Sequence, residues 1–272
     1  MSSVSIRNLS QSYVTETKTV HALSDVCLDI RDGEFVCVVG PSGCGKTSLL
    51  NILGGFIEPT AGEILVDGIA RRDARISIGV VFQEYALFPW RTALGNVEYG
   101  LEIKKVPSAE RRETAMNYLR LVHLEDAADT YPHHLSGGMR QRVAVARALA
   151  YDPALLLMDE PFGALDAQTR EHLQELTEEI WQATRKTVFY VTHNLSEAVY
   201  LGERVIVMHP NPGRIHDIVS VDLPRPRDPL STEFVDIQRY LSEAIRTTGT
   251  PGDVRAHDRC QPAHSSGPAR GR

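Results

Sequence analysis

The sequence predicts an α/β fold centred on a parallel sheet covered by helices. Three observations carry this reading. Short apolar runs at residues 34–39, 154–159, 187–192 and 204–209 read as strands, the first of them β-branched and continuously apolar at its centre as a strand buried on both faces should be. Segments with helical spacing, TREHLQELTEEIWQAT and LSEAVYL, separate the later runs, which is the alternation that builds a parallel sheet. A glycine-rich turn follows the first run directly and opens a helix.

At 272 residues, with 42% apolar and 24% charged, the chain has ordinary globular composition and enough apolar surface for a real core. Its formal net charge of -6 and pI near 5.9 argue against a general nucleic-acid binder, whose footprint is a basic surplus. Cys27, Cys37, Cys44 and Cys260 lack paired spacing, so neither a disulfide framework nor a zinc site is suggested, which fits a reducing cytosol. The opening MSSVSIRNLS has no basic segment leading into an apolar one. No run approaches the roughly 18 apolar residues that span a bilayer, so membrane association is expected only through a partner.

In chain order, residues 4–30 alternate in short stretches and predict two or three antiparallel strands. The strand at 34–39 follows, then a helix over 45–54, then a hairpin-like piece formed by 62–68 and 76–83. From 87 to 150 the spacing turns helical through TALGNVEYGLEI, AERRETAMNYLRLVHL and GGMRQRVAVARALA, predicting a helical lobe inserted into the sheet-bearing core. The expected division is therefore 1–86 with 151–227 as an α/β core with a β subdomain, 87–150 as the helical lobe, and 228–247 as a C-terminal helix. Residues 248–272, rich in Gly, Pro, Ser and Arg, are expected to be disordered.

Gly40, Pro41, Ser42, Gly43, Cys44, Gly45, Lys46 and Thr47 fit the phosphate-binding loop pattern, standing after a buried strand and opening a helix as the chemistry requires. Gly43 and Gly45 let the backbone wrap a β-phosphate, so that successive amides and the positive helix end face the anion. Lys46 adds a full charge that can reach the β- and γ-oxygens, and the Thr47 hydroxyl is placed to ligate Mg²⁺. Cys44 offers its backbone amide rather than its thiol. Further on, the apolar run Leu155-Leu-Leu-Met ends in Asp159 and Glu160. The first carboxylate suits metal binding, and the second stands at the carboxyl edge of the sheet, where it can polarise an attacking water.

Ser136, Gly137 and Gly138 make a second anion site: Ser136 suits a helix N-cap, the glycines leave the amides uncovered, and a helix follows. The run Leu135-Ser-Gly-Gly-Met139, continued by RQRVAVARAL, resembles the signature sequence of ABC transporter ATPases. With Gln83 after IGVVF, Asp166 in GALD and His193 ending VFYVT, the resemblance covers about residues 4–227 in the family's order. It implies a P-loop NTPase of the ABC cassette type: a RecA-like core with an antiparallel β subdomain and an inserted helical subdomain.

The resemblance also implies two copies joined head to tail, each ATP lying between Lys46 of one and Ser136 and Gly138 of the other. ATP is hydrolysed to ADP and phosphate to power a separate transmembrane permease. By the same resemblance Tyr13 stacks on the adenine and Ser48 belongs to the nucleotide-binding loop. Gln83 contacts Mg²⁺ and the attacking water, His193 holds the γ-phosphate, and Asp166 organises the dimer seam. Judged alone, Tyr13 reads as strand packing, Gln83 as a loop residue, His193 as structural and Asp166 as a turn residue.

The segment at 84–91 crowds large apolar side chains around a proline, a surface that needs something to dock on. In the family this stretch receives a short helix of the permease, making Leu87, Phe88 and Trp90 the candidate contacts. LFPWRTALGNVEYGLE, DEPFGALDAQTR and PNPGRI resemble importer ATPases for nitrate, sulfonate, taurine and related solutes. The chain is thus expected on the cytoplasmic side of a membrane, indirectly served by a solute-binding protein. The competing readings are an exporter ATPase subunit and a nucleotide-gated ABC module without transport, the latter disfavoured because the chain lacks a second cassette, a long coiled coil and zinc insertions.

Overall fold

The computed structural model describes residues 2–14, 18–74, 76–163 and 165–247. The chain starts with two long antiparallel strands, β1 (Val4–Val14) and β2 (Thr19–Ile30), paired from Val4↔Ile30 to Val14↔Thr19. Next come β3 (Phe35–Val39) and α1 (Lys46–Gly54). The strands β4 (Ala61–Val66), β5 (Ile69–Ala70) and β6 (Ile78–Val81) follow. The middle is helical: α2 (Ala93–Ile103), α3 (Ser108–Leu121), two short 3₁₀ turns, and α4 (Gly137–Ala150). The α/β alternation then resumes with β7 (Leu155–Asp159), α5 (Ala167–Thr184), β8 (Thr187–Val191), α6 (Leu195–Leu201) and β9 (Arg204–His209). An edge strand, β10 (Arg214–Ser220), and α7 (Thr232–Thr247) complete the described chain.

Two sheets result, a four-stranded one in the order β2-β1-β4-β5 and a six-stranded one in the order β10-β9-β3-β8-β7-β6. The second is parallel except for β10, which runs antiparallel to β9. Its central strand β3 shows why such runs read as continuously apolar. Phe35, Cys37 and Val39 face a core shared with the helical lobe, α5, α6 and α7. Val36 and Val38 face a second core closed by α1, β1, β2 and β4. Both faces are dry, and fully burying each large side chain contributes about 1.5–3 kcal/mol.

One sequence expectation is corrected. Residues 62–68 and 76–83 do not form a hairpin: β4 pairs with β1 and β5 in the antiparallel sheet, whereas β6 is the parallel neighbour of β7, from Ile78↔Leu155 to Val81↔Met158. The physical reason is partner choice. Ile76, Ile78 and Val80 pack against one core and Val81 lies in the other, so this strand is covered on both faces, which a two-stranded ribbon does not provide. β10 has no strong sequence signature because its residues are only half buried and its register shifts between Ile215 and Asp217. α7 buries Phe234, Leu241 and Ala244 against α6 and β9. The tail expected to be disordered lies outside the described residues.

Candidate active site

The phosphate loop bridges β3 and α1 at the carboxyl edge of the parallel sheet. Gly45, the N-cap of α1, has φ 93°, and a Cβ there would come 2.5 Å from Leu23 Cδ2 and 2.8 Å from the Ala22 carbonyl oxygen. Only glycine meets both demands. Gly43 also has positive φ, at 78°, but faces open space, so its need is conformational alone. The Lys46 ammonium is buried within the loop and donates to the carbonyls of Gly40 at 2.9 Å and Pro41 at 3.2 Å. Cys44 is buried beneath it; burial pushes the thiol upward in pKa while Lys46 opposes the rise.

At the end of β7, Asp159 lies close enough to Thr47 and Lys46 for both to favour its ionised form. Burial first, then the charge of Glu160, holds the Asp159 carboxyl above its usual range. Two carboxylates side by side with a hydroxyl, partly withdrawn from water, form an oxygen-rich, electrostatically unbalanced corner suited to a hard divalent cation. Glu160 sits in the left-handed region at φ 44°, a conformation uncommon outside glycine, which turns its side chain away from the strand direction. Its Oε2 meets His193 Nδ1 at 3.0 Å, and the His193 side chain remains 63% exposed. Gln83 and Glu160 flank Gly163: a Cβ there would lie 3.6 Å from Gln83 Nε2 and 3.8 Å from Glu160 Oε2.

Gly40, Pro41, Ser42, Lys46, Glu160 and His193 line one open cleft of about 590 Å³. The signature residues do not line it. Ser136 instead caps α4, its hydroxyl accepting from the Met139 amide at 3.3 Å. Gly138 packs against α5, where a Cβ would come 2.6 Å from Thr169 Cγ2. The same Thr169 gives its amide and hydroxyl to Asp166, the N-cap of α5, at 3.0 and 2.8 Å, and these bonds hold the Asp166 carboxyl below its ordinary range. Tyr13, at the end of β1, donates from its hydroxyl to Ser48 Oγ at 3.2 Å, which places this aromatic ring beside the phosphate-loop helix.

The apolar segment after Gln83 divides. Leu87 packs on the lobe's core, Phe88 lies 4.5 Å from Tyr99 ring to ring, and Trp90 is 71% exposed. Asn96 clamps the segment, its amide nitrogen donating to the carbonyls of Phe88, Arg91 and Thr92.

Sequence reasoning missed two contributors. Gly213 lies where a Cβ would collide with the carbonyl of Cys44, so the turn before β10 presses on the underside of the phosphate loop. Its sequence signal was the PNPGRI run, which marks a turn but not the loop that the turn presses on. Ser242, Ile245 and Arg246 bring the end of α7 to the cleft wall, a placement that helical periodicity cannot supply.

A family model described as ABC transporter matches residues 23–163. An uncharacterised ABC transporter ATP-binding protein of Methanocaldococcus jannaschii is 49% identical over 241 residues, covering 89% of this chain and 90% of its own. A taurine import ATP-binding protein of Roseobacter denitrificans is 48% identical over 217 residues, covering 79% and 81% respectively. Among solved structures, a dimeric bacterial ABC transporter cassette superposes with a TM-score of 0.73 at 38% identity, covering 81% of this chain and all of that one.

Proposed function

Because this chain belongs to the ABC transporter family, whose ATP-binding subunits hydrolyse ATP, we propose that it energises import of a small sulfonate-like or nitrate-like solute through a separate permease. The observation that carries the chemistry is the joining of Lys46, Glu160 and His193 in one cleft, with Glu160 and His193 3.0 Å apart. Lys46 and the loop amides bind the β- and γ-phosphates. Glu160 accepts a hydrogen bond from the attacking water, whose oxygen adds to the γ-phosphorus as the bond to ADP breaks. His193 holds Glu160 through Nδ1 and turns its other nitrogen towards the γ-phosphate. Gln83, beside Glu160 across Gly163, orients the same water. Thr47 and the neighbouring Asp159 fit Mg²⁺, which when bound would offset the charge of the phosphate oxygens. Tyr13 stacks on the base, tied to the loop helix through Ser48.

Ser136, Gly137 and Gly138 lie outside this cleft, which favours their use by the ATP of a second copy, with Asp166 at the seam. Phosphate release by the purified chain tests the reading, with Lys46→Ala as its inactive counterpart. Equal release by both forms sinks it.

No described helix is long and apolar enough to cross a membrane. The similarity to import ATP-binding proteins supports a peripheral subunit that meets the permease from the cytoplasmic side. Leu87, Phe88 and Trp90 form the dock, and the exposed Trp90 is its anchor. Trp90→Glu is expected to leave phosphate release by the isolated chain unchanged and to abolish co-purification with a co-expressed permease; a complex that survives removes the dock from this surface. The importer reading is favoured over an exporter by the taurine import relative. Its solute is identified by which of taurine, an alkanesulfonate or nitrate raises the melting temperature of the neighbouring solute-binding protein.

A further inference from the structure

The loop that carries Glu160 and the strand end that carries His193 are joined a second time, below the cleft, by side chains that the reaction does not use. Arg170, in the first turn of α5, donates from Nη2 to the Leu165 carbonyl at 2.8 Å and from Nε to the Phe162 carbonyl at 3.4 Å. Its Nε also lies 3.6 Å from Glu197 Oε1, an ion pair whose side chains are 29% and 4% exposed. The other oxygen of Glu197 accepts from Thr192 Oγ1 at 2.7 Å and from the Tyr190 hydroxyl at 3.1 Å. Thr192 Oγ1 accepts in turn from the Asn194 amide at 3.0 Å, so the residues on both sides of His193 are fixed.

The aromatic rings repeat the connection, with Phe162 and Tyr190 6.0 Å apart between centroids. Each half of the Glu160–His193 contact therefore rests on one member of the Arg170–Glu197 pair. Stability is a poor reason for burying these charges, since a well-packed apolar pair of equal volume often serves a core as well. What an apolar pair lacks is direction. The guanidinium reaches two loop carbonyls in a fixed fork, and the carboxylate takes two hydroxyls from the end of the sheet. Burial pushes the Glu197 carboxyl above its ordinary range, and Thr192, Tyr190 and Arg170 act against that rise.

We propose that Arg170 and Glu197 are positioning residues for hydrolysis, a crossbar that sets the distance between Glu160 and His193. The inference rests on the reading of Glu160 and His193 as the reacting pair. Since a misplacement of about 1 Å can lower turnover by roughly 10²-fold, even a partial loosening is measurable.

The test uses the full chain in four forms: wild type, Glu197→Gln, Arg170→Gln and the double variant. Phosphate release gives kcat and KM, a fluorescent ATP analogue gives binding, and thermal melting reports folding. Each single variant is expected to lose about tenfold in kcat with KM and analogue binding unchanged, and the double variant to be no slower than the singles, as for residues acting as one unit. Arg170→Lys, which keeps the charge without the fork, is expected to recover part of the loss even where Arg170→Gln folds poorly. Unchanged kcat with a lowered melting temperature overturns the proposal, as do losses that multiply in the double variant. An inactive wild type overturns the ATPase reading instead, so the two failures are distinct.

Discussion

Glu160→Gln is expected to slow phosphate release by about 10²- to 10⁴-fold, the usual loss when a general base is removed, while ATP binding persists. Glutamine keeps the length and the 3.0 Å reach to His193, but its amide cannot accept water's proton. The main phosphate grip is untouched, because Lys46 opens α1 and the loop amides lie between β3 and α1, away from the end of β7, and His193 keeps a partner of the same length. The variant is therefore expected to accumulate as an ATP-loaded dimer on size exclusion in Mg·ATP, whereas the wild type passes through that state. Turnover near the wild-type rate removes Glu160 from the chemistry. A variant that stays monomeric with saturating ATP instead refutes the two-copy site.

Ser136→Asp is expected to abolish dimerisation and hydrolysis together, with the melting temperature unchanged. Aspartate is as good an N-cap as serine, so the acceptor for the Met139 amide is retained and α4 keeps its start. What changes is the charge offered to a triphosphate arriving on another copy. Like charges brought together at an interface are unfavourable by several kcal/mol, so the loss in dimer affinity is expected to reach about 10²-fold or more. Mixing this variant with Lys46→Ala supplies the decisive comparison. A mixed pair retains one site with both an intact phosphate loop and an intact signature, so some hydrolysis returns on mixing. Activity of Ser136→Asp alone equal to wild type rules the signature out as a phosphate contact.

The candidate site was legible where it is contiguous. The run from Gly40 to Thr47 and the pair Asp159–Glu160 are each contiguous in sequence, and the structure sets both at the carboxyl edge of the parallel sheet, where the proposed chemistry needs them. The buried runs were legible for a related reason: β3 alternates between two dry cores, so every position is apolar. Contacts between distant residues were not legible. Residues 76–83 read as half of a hairpin because pattern shows that a strand exists but not which edge it joins. Gly213 under the Cys44 carbonyl and the Arg170–Glu197 pair likewise have partners that only the folded chain brings near. Asp166 and Gly138 gained a meaning that pattern lacked, since both meet Thr169 and so tie the signature to the start of α5 within one copy.

The buried thiol of Cys44, 3.8 Å from the Lys46 ammonium, makes the phosphate loop its own clock. A thiol reacts as the thiolate, and this one is both sealed from solvent and raised in pKa, so an alkylating reagent is consumed there only when the loop springs open. The labelling rate by mass spectrometry thus counts openings. Saturating ATP should slow it in the wild type and leave it unaltered in Lys46→Ala, giving a measure of nucleotide grip that needs neither turnover nor a permease.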